Sequence, residues 1–289
     1  MDALTFQQIL DSKPNTAVLK VGPQTSIQEA LKQLGLRHLI HLPITSHSNS
    51  SKIVSIVSIL DIVTYLTSHS GDSTCLQHPV ERCLSLSADE ENYLMWERDS
   101  QDLVKETLVK FASGLHRALV TTTDGTAVSI VGQTDILRFI FNNKTQLKVD
   151  LSTSITRVAQ KKPQNRPLVT MNASQSALDG FTLMSTNGVP VVPVLTPSNE
   201  LVAVLSPKDL RAFNTPNAPS LNDLNRPVLE FLCINDLVRP LVRLEGDASL
   251  SDAINLLLHH HQHHVWIING QRQLVAVVSH SDIIGFLTL

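Results

Sequence analysis

Four aspartates recur at a fixed interval along this chain. Asp61, Asp135, Asp209 and Asp282 are separated by 74, 74 and 73 residues, inside the segments IVSIVSILDIVTYL, AVSIVGQTDILRFI, LVAVLSPKDLRAF and LVAVVSHSDIIGFL. Each segment is a short β-branched run, a small residue, two variable positions, the Asp, and an apolar stretch with helical spacing. Self-similarity at one period constrains the fold more than any single motif, because each repeat is then one supersecondary unit that hides its apolar face by stacking on another.

The elements upstream of each Asp recur as well. In the fourth unit Leu241–Leu244 reads as a strand. Ser249, Leu250, Ala253, Ile254, Leu257 and Leu258 give the apolar face of a helix, with Asp252 three residues past an N-cap at Ser249. Val265–Ile268 and Leu274–Val278 read as a hairpin around Asn269-Gly270, and a last helix starts near Ser279. The third unit repeats this order with Leu168–Thr170, a helix from about Ser174, Val191–Leu195, Val202–Leu205 and a helix opened by Pro207. The predicted unit is strand, helix, strand, strand, helix, an α/β (α+β) repeat. The four repeats are expected at residues 1–69, 78–143, 150–215 and 232–289. Repeats one and two, and three and four, are expected to pair, with a joint near Lys148–Arg166 and its linker-like Pro163–Pro167 stretch.

Composition narrows the function classes. Hydrophobic residues make up 42% of the chain and aromatics only 4%, so the core is aliphatic. With 23 Lys and Arg against 26 Asp and Glu, no broad basic face for nucleic acid or membrane lipid is expected. Cys75, Cys83 and Cys233 form no CxxC pair, which fits a reducing compartment. The opening MDALTFQQILDSKP has no basic stretch followed by an apolar one, and no apolar run approaches the ~20 residues of a bilayer span. The expected location is the cytoplasm, with the nucleus as a second compartment.

The unit order and the tail hydrophobic–hydrophobic–Ser-x-x-Asp–hydrophobic resemble the CBS domain, named after cystathionine β-synthase. Over almost the whole length, KIVSIVSILDIVTYL, FASGLHRALV with GQTDILRFI, and HHVWIINGQRQLVAVVSHSDIIGFL resemble the gamma regulatory subunits of AMP-activated and SNF1-related protein kinases, the plant gamma-like members most. The resemblance implies four CBS repeats in two Bateman-type pairs forming a disc. It also implies AMP, ADP or ATP bound in clefts between paired repeats, and kinase alpha and beta subunits as partners. The alternative is a CBS scaffold that has lost ligand binding.

The candidate residues carry two readings each. Ser58 with Asp61, Ser206 with Asp209, and Ser279 with Asp282 have the spacing of a capping box at a helix N-terminus. The same geometry suits a nucleotide, since a carboxylate accepts both hydroxyls of a ribose while hydroxyl and free N–H groups meet phosphate. In the resembled family this Asp holds the ribose. Gly132 replaces the serine before Asp135, which keeps a cap but loses a hydroxyl. His116 and Arg117 match the family's phosphate-facing basic pair. His263 and His264 are the fourth unit's counterpart, His41 remains in the first, and Pro190-Val191 stand there in the third. The run His259 to His264 has an i, i+4 pair suited to metal only if one helix continues through it. No metal, no other cofactor and no catalysis are expected. GxGxxG, GxxxxGK[ST], HExxH and GxSxG are all missing from the sequence, and the Asp and His residues recur by repeat rather than forming one asymmetric set. Trp96 and Trp266 read as packing residues.

Overall fold

The computed structural model describes residues 3–14, 18–84, 95–161, 168–214 and 221–288. Repeat one is introduced by helix α1 (Phe6–Asp11) and contains α2 (Ile27–Leu36), strands β1 (His41–Thr45) and β2 (Ile53–Ser58), and α3 (Ile59–Ser68). Its first strand is reduced to a parallel bridge, Val21 to Ile44. Repeat two follows a 3₁₀ segment (Val80–Leu84) with β3 (Glu97–Asp99), α4 (Lys105–Ala112), β4 (Arg117–Thr121), β5 (Ala127–Gly132) and α5 (Gln133–Asn142). Repeat three follows α6 (Ile155–Gln160) with β6 (Met171–Asn172), α7 (Ala177–Asn187), β7 (Val192–Leu195), β8 (Leu201–Leu205) and a second 3₁₀ segment (Pro207–Asn214). Repeat four follows α8 (Val228–Ile234) with β9 (Arg243–Glu245), α9 (Leu250–His259), β10 (His264–Ile268), β11 (Leu274–Ser279) and α10 (His280–Thr288). Each sheet belongs to one repeat. An antiparallel hairpin carries, in repeats two to four, a short parallel strand on its first member.

The repeated first helix shows why the pattern folds as it does. Ser26, Ser176 and Ser249 each accept the N–H of the acidic residue three positions on, Glu29, Asp179 and Asp252. Behind them Ile27/Ala30/Leu31/Leu34, Ala177/Gly180/Phe181/Met184 and Leu250/Ala253/Ile254/Leu257 are buried at the i, i+3, i+4, i+7 positions. Gly180 sits there because a Cβ would stand 2.5 Å from Leu205 Cδ2 and 2.8 Å from Met171 Sδ. Fully burying one such Leu or Phe side chain contributes about 1.5–3 kcal/mol.

Three sequence expectations shift. The first strands of repeats three and four lie at Met171–Asn172 and Arg243–Glu245, two to three residues later than expected, and the third repeat's helix starts at Ala177 rather than Ser174. Strands of two or three residues are too short to show a period, so only their parallel partners fix them. The closing helix of repeat three is 3₁₀ rather than α.

The third correction concerns pairing. The chain divides into two compact units, one holding residues 1–18, 96–168 and 240–289, the other residues 19–95 and 169–239. Repeats two and four share one apolar core, and repeats one and three share the other. The shared cores are not the sequence-order pairs one–two and three–four. The packing runs through helices: α10 on α4 and α5, α5 on α9, α3 on α7, and α2 on the Pro207–Asn214 segment. Helices win here because each repeat leaves a helical apolar stripe uncovered by its own sheet.

Sequence neighbours exchange their lead-in elements instead. The α1 helix, which introduces repeat one, packs on β5 and α5 of repeat two, and the Val80–Leu84 segment, which introduces repeat two, packs on β2 and α3 of repeat one. In the same way α6 packs on α9, β11 and α10 of repeat four, and α8 on α7 and β8 of repeat three. The expected joint at Lys148–Arg166 therefore contains a packed helix, and Pro163–Pro167 lies outside the described residues. No helix among the described residues is long and apolar enough to cross a membrane.

Candidate functional site

The site is set by hairpin register. In three repeats the first hairpin residue stands opposite the N-cap of the closing helix: His41 opposite Ser58, Arg117 opposite Gly132, His264 opposite Ser279. In repeat three the strand opens one residue later, with Val192 opposite Leu205, so that place falls to Val191. The basic residues singled out in the sequence are thus register-equivalent. They face the helix starts that carry the repeat aspartates.

Each aspartate closes its own helix cap. Asp61 Oδ2 accepts from Ser58 N and Ser58 Oγ, both at 2.7 Å. Asp282 Oδ2 accepts from Ser279 N and Oγ, both at 2.6 Å. Asp209 Oδ2 accepts from Ser206 N at 2.7 Å, and Asp135 Oδ2 from Gly132 N at 2.8 Å. Beyond the cap the four differ. Asp135 is ion-paired with Lys13 Nζ at 2.9 Å. Asp209 is fully buried, with Arg239 Nη2 at 2.6 and 2.8 Å from its two oxygens. Burial pushes the Asp209 carboxyl above its ordinary value, and the Arg239 charge pulls against that shift.

In the unit of repeats two and four the helix starts form a connected polar seam. Gln133 Nε2 donates to Ser281 Oγ at 2.7 Å and to the Phe111 and Leu115 carbonyls at 3.0 Å, and Gln133 Oε1 lies 3.4 Å from His116 Nδ1. Its pseudo-symmetric counterpart, His280, is buried and lies 3.4 Å from Thr134 Oγ1 and 3.3 Å from His263 Nδ1. Arg117 opens β4 beside this seam. It is partly buried, desolvation lowers its guanidinium well below the usual range, and among the described residues its side chain makes no ion pair or hydrogen bond. In the other unit the equivalent positions are Ile59-Leu60 and Pro207-Lys208, and burial brings the Lys208 amine down to about 8.

The structure distributes the sequence candidates between the two units. Asp135, Asp282, Ser279, His116, Arg117, His263 and His264 lie in one, and Asp61, Asp209, Ser58, Ser206 and His41 in the other. It adds Lys13, Arg239, Gln133, Thr134, His280 and Ser281, which sequence reasoning missed. A signal existed for the first two, since each cation directly precedes a proline in a lead-in, Lys13-Pro14 and Arg239-Pro240. The histidine run does not share one helix: α9 ends at His259, and His261 has φ of 51°. Among the described residues no group of three His, Cys, Asp or Glu is arranged to hold a metal. Trp96 donates to Thr107 Oγ1 at 2.8 Å, and Trp266 is buried.

Residues 9–68, 164–214 and 234–289 match the CBS domain family. The chain is 21% identical over 283 residues to the SNF1-related protein kinase regulatory subunit gamma-like PV42b of Arabidopsis thaliana, covering 86% of this chain and 79% of that protein. It is 23% identical over 266 residues to gamma-like PV42a of the same plant, covering 81% and 75%. Among solved structures, protein MJ1225 of Methanocaldococcus jannaschii, described as a proposed archaeal homologue of g-AMPK, superposes with a TM-score of 0.79 at 15% identity, over 98% of this chain and 99% of that one. An uncharacterized conserved protein of Pyrococcus horikoshii superposes with a TM-score of 0.57 at 14% identity, over 94% and 96%.

Proposed function

This chain belongs to the CBS domain family, and from that premise we propose that it is a non-catalytic regulatory protein that binds an adenine nucleotide (AMP, ADP or ATP) and acts as a gamma-type subunit of an AMP-activated or SNF1-related kinase complex. The kinase partner is suggested by the two Arabidopsis relatives, which are named as kinase regulatory subunits, and the archaeal protein shares the fold. The adenine-nucleotide reading rests on this chain's own helix starts. A carboxylate at the third helical position accepts a ribose diol, and the N–H groups of the first turn with nearby cations accept phosphate.

Arg117 is the observation that carries the proposal. A partly buried guanidinium with no counter-ion among the described residues is costly in a folded chain. A phosphate arriving at the seam shared by the Gln133 and His280 helix starts removes that cost, and His116 and His263 lie on it. Calorimetric titration with AMP, ADP, ATP and S-adenosylmethionine tests it. The expected result is binding of at least one adenine nucleotide, weaker for 2′-deoxy-AMP than for AMP because the carboxylate loses one hydroxyl partner. Arg117→Ala is expected to weaken binding about tenfold or more, the loss of one charge-assisted contact. A chain that binds none of the four, or that binds AMP and its 2′-deoxy form equally, is not a ribonucleotide sensor. Co-purification with kinase alpha and beta subunits tests the partner. The scaffold alternative is favoured only at repeats two and three, where a cation of the chain itself sits on the aspartate.

A further inference from the structure

Two of the four repeat aspartates are met by a cation from a different repeat's lead-in. Lys13 lies two residues past α1, and its Nζ reaches Asp135 Oδ2 at 2.9 Å and the Ile130 carbonyl at 2.8 Å. Arg239 lies past α8, and its Nη2 reaches both Asp209 oxygens, at 2.6 and 2.8 Å, and Ser206 Oγ at 3.1 Å. Both cations directly precede proline, which steers the preceding residue away from helix and towards extended backbone. Their lead-ins are anchored on the repeat that receives the cation. Phe6 and Ile9 of α1, and Val228, Phe231 and Leu232 of α8, are buried, and bridges Thr5–Leu103 and Ser176–Pro227 pin the two segments. The cation is delivered by a packed element, so little ordering remains when the pair forms.

We infer that Lys13 and Arg239 are built-in occupants of Asp135 and Asp209, closing those two helix starts to a ribose, and that Asp61 is a repeat aspartate kept open for ligand. The inference rests on the nucleotide reading above and assigns which carboxylates serve it. A ribose diol is neutral and competes poorly for a carboxylate already paired with a cation. At Asp209 both oxygens are held by one guanidinium and the residue is fully buried, so a neutral diol would have to displace a charge-assisted contact with no path to it. At Asp135 the oxygen that caps the helix also holds Lys13. Asp61 differs: its carboxylate takes only the Ser58 cap, no cation among the described residues is paired with it, and the side chain is partly exposed. The lead-in packed on repeat one explains the difference. That lead-in, Val80–Leu84, carries one cation, Arg82, and among the described residues no ion pair joins it to Asp61. The group it places near Asp61 is the Cys83 thiol, which burial pushes up to about 12 and so keeps neutral.

Calorimetric titration of the full chain with AMP separates the possibilities, using wild type, Lys13→Met, Arg239→Met and Asp61→Asn, each checked for folding by circular dichroism. Methionine keeps much of the stem and removes the charge. The expected result is that Asp61→Asn removes one binding equivalent from the wild type, while Lys13→Met and Arg239→Met each add one. Unchanged stoichiometry in folded Lys13→Met and Arg239→Met overturns the occupancy, and an unchanged isotherm in Asp61→Asn overturns the assignment of the open site. A silent wild type with a site gained in either Met variant upholds the occupancy and removes the native nucleotide role. Silence in all four overturns both. Should Arg239→Met fail to fold, because Asp209 is buried, the more exposed Lys13–Asp135 pair decides alone.

Discussion

The unit of repeats two and four begins its closing helices on Gln133-Thr134 and His280-Ser281, which hydrogen-bond crosswise, Gln133 to Ser281 and His280 to Thr134. The unit of repeats one and three begins them on Ile59-Leu60 and Pro207-Lys208. The capping aspartate is the same in all four, yet its surroundings decide its state. In the polar unit an ion pair at Asp135 keeps side-chain exposures of 21% and 18%, and Arg117 is held without a counter-ion among the described residues. In the apolar unit the Asp209 side chain is 1% exposed, and an arginine sits on it. The same sequence position is therefore a partly exposed ion pair in one repeat and a fully buried one in another. Dielectric environment separates them.

Breaking the two ion pairs tests this contrast most strongly. Arg239→Met leaves a buried carboxylate alone and is expected to destabilise the chain by about 3–5 kcal/mol in urea denaturation, whereas Lys13→Met is expected to lose under about 1 kcal/mol. Equal losses would mean that the environments do not differ as described.

Lys208 gives a pH test that applies only to the apolar unit. Burial lowers its amine to about 8 from the ordinary 10.5, with the Arg211 and Arg239 charges adding to the effect. Between pH 8 and 10.5 the unfolded chain holds a proton that the folded chain has released. Stability from this group therefore climbs as pH rises through that window and is at its lowest below pH 8, by about 1–3 kcal/mol after solvent screening. Comparing the melting temperature of wild type with that of Lys208→Met at pH 7 and pH 10 checks it; an unchanged difference at the two values counts against the buried amine. The equivalent positions of the other unit, Thr134 and Ser281, are uncharged.

Arg117→Leu sharpens the same comparison from the polar side. Removing an uncompensated guanidinium is expected to raise ligand-free stability by about 1 kcal/mol while nucleotide affinity falls. A variant that loses stability would show that Arg117 is structural.

The smallest expected effect concerns thiols, all of which lie in the unit of repeats one and three. Cys233 is exposed, Cys75 is buried, and burial raises the Cys83 thiol to about 12. At pH 8 a disulfide reagent is expected to modify Cys233 first and to reach Cys75 and Cys83 only as that unit opens. Three thiols reacting together would indicate that this unit is already loose.

The repeat, the order of elements and the helix caps were legible in the chain because each is written within a few residues. Ser58 and Asp61, or Ser249 and Asp252, meet inside one helical turn, and the apolar 3.6-residue spacing marks the buried face without reference to any partner. The basic residues were named from the family resemblance, and only the paired strands set them opposite the helix caps. Only the tertiary structure decided which repeats share a core, since helical stripes of similar Leu, Ile and Val content fit more than one neighbour. It alone brought Lys13 to Asp135 across 122 residues and Arg239 to Asp209 across 30. An ion pair leaves no mark at that separation: its energy depends on burial and distance, and neither exists until the lead-in helices have packed on a neighbouring repeat.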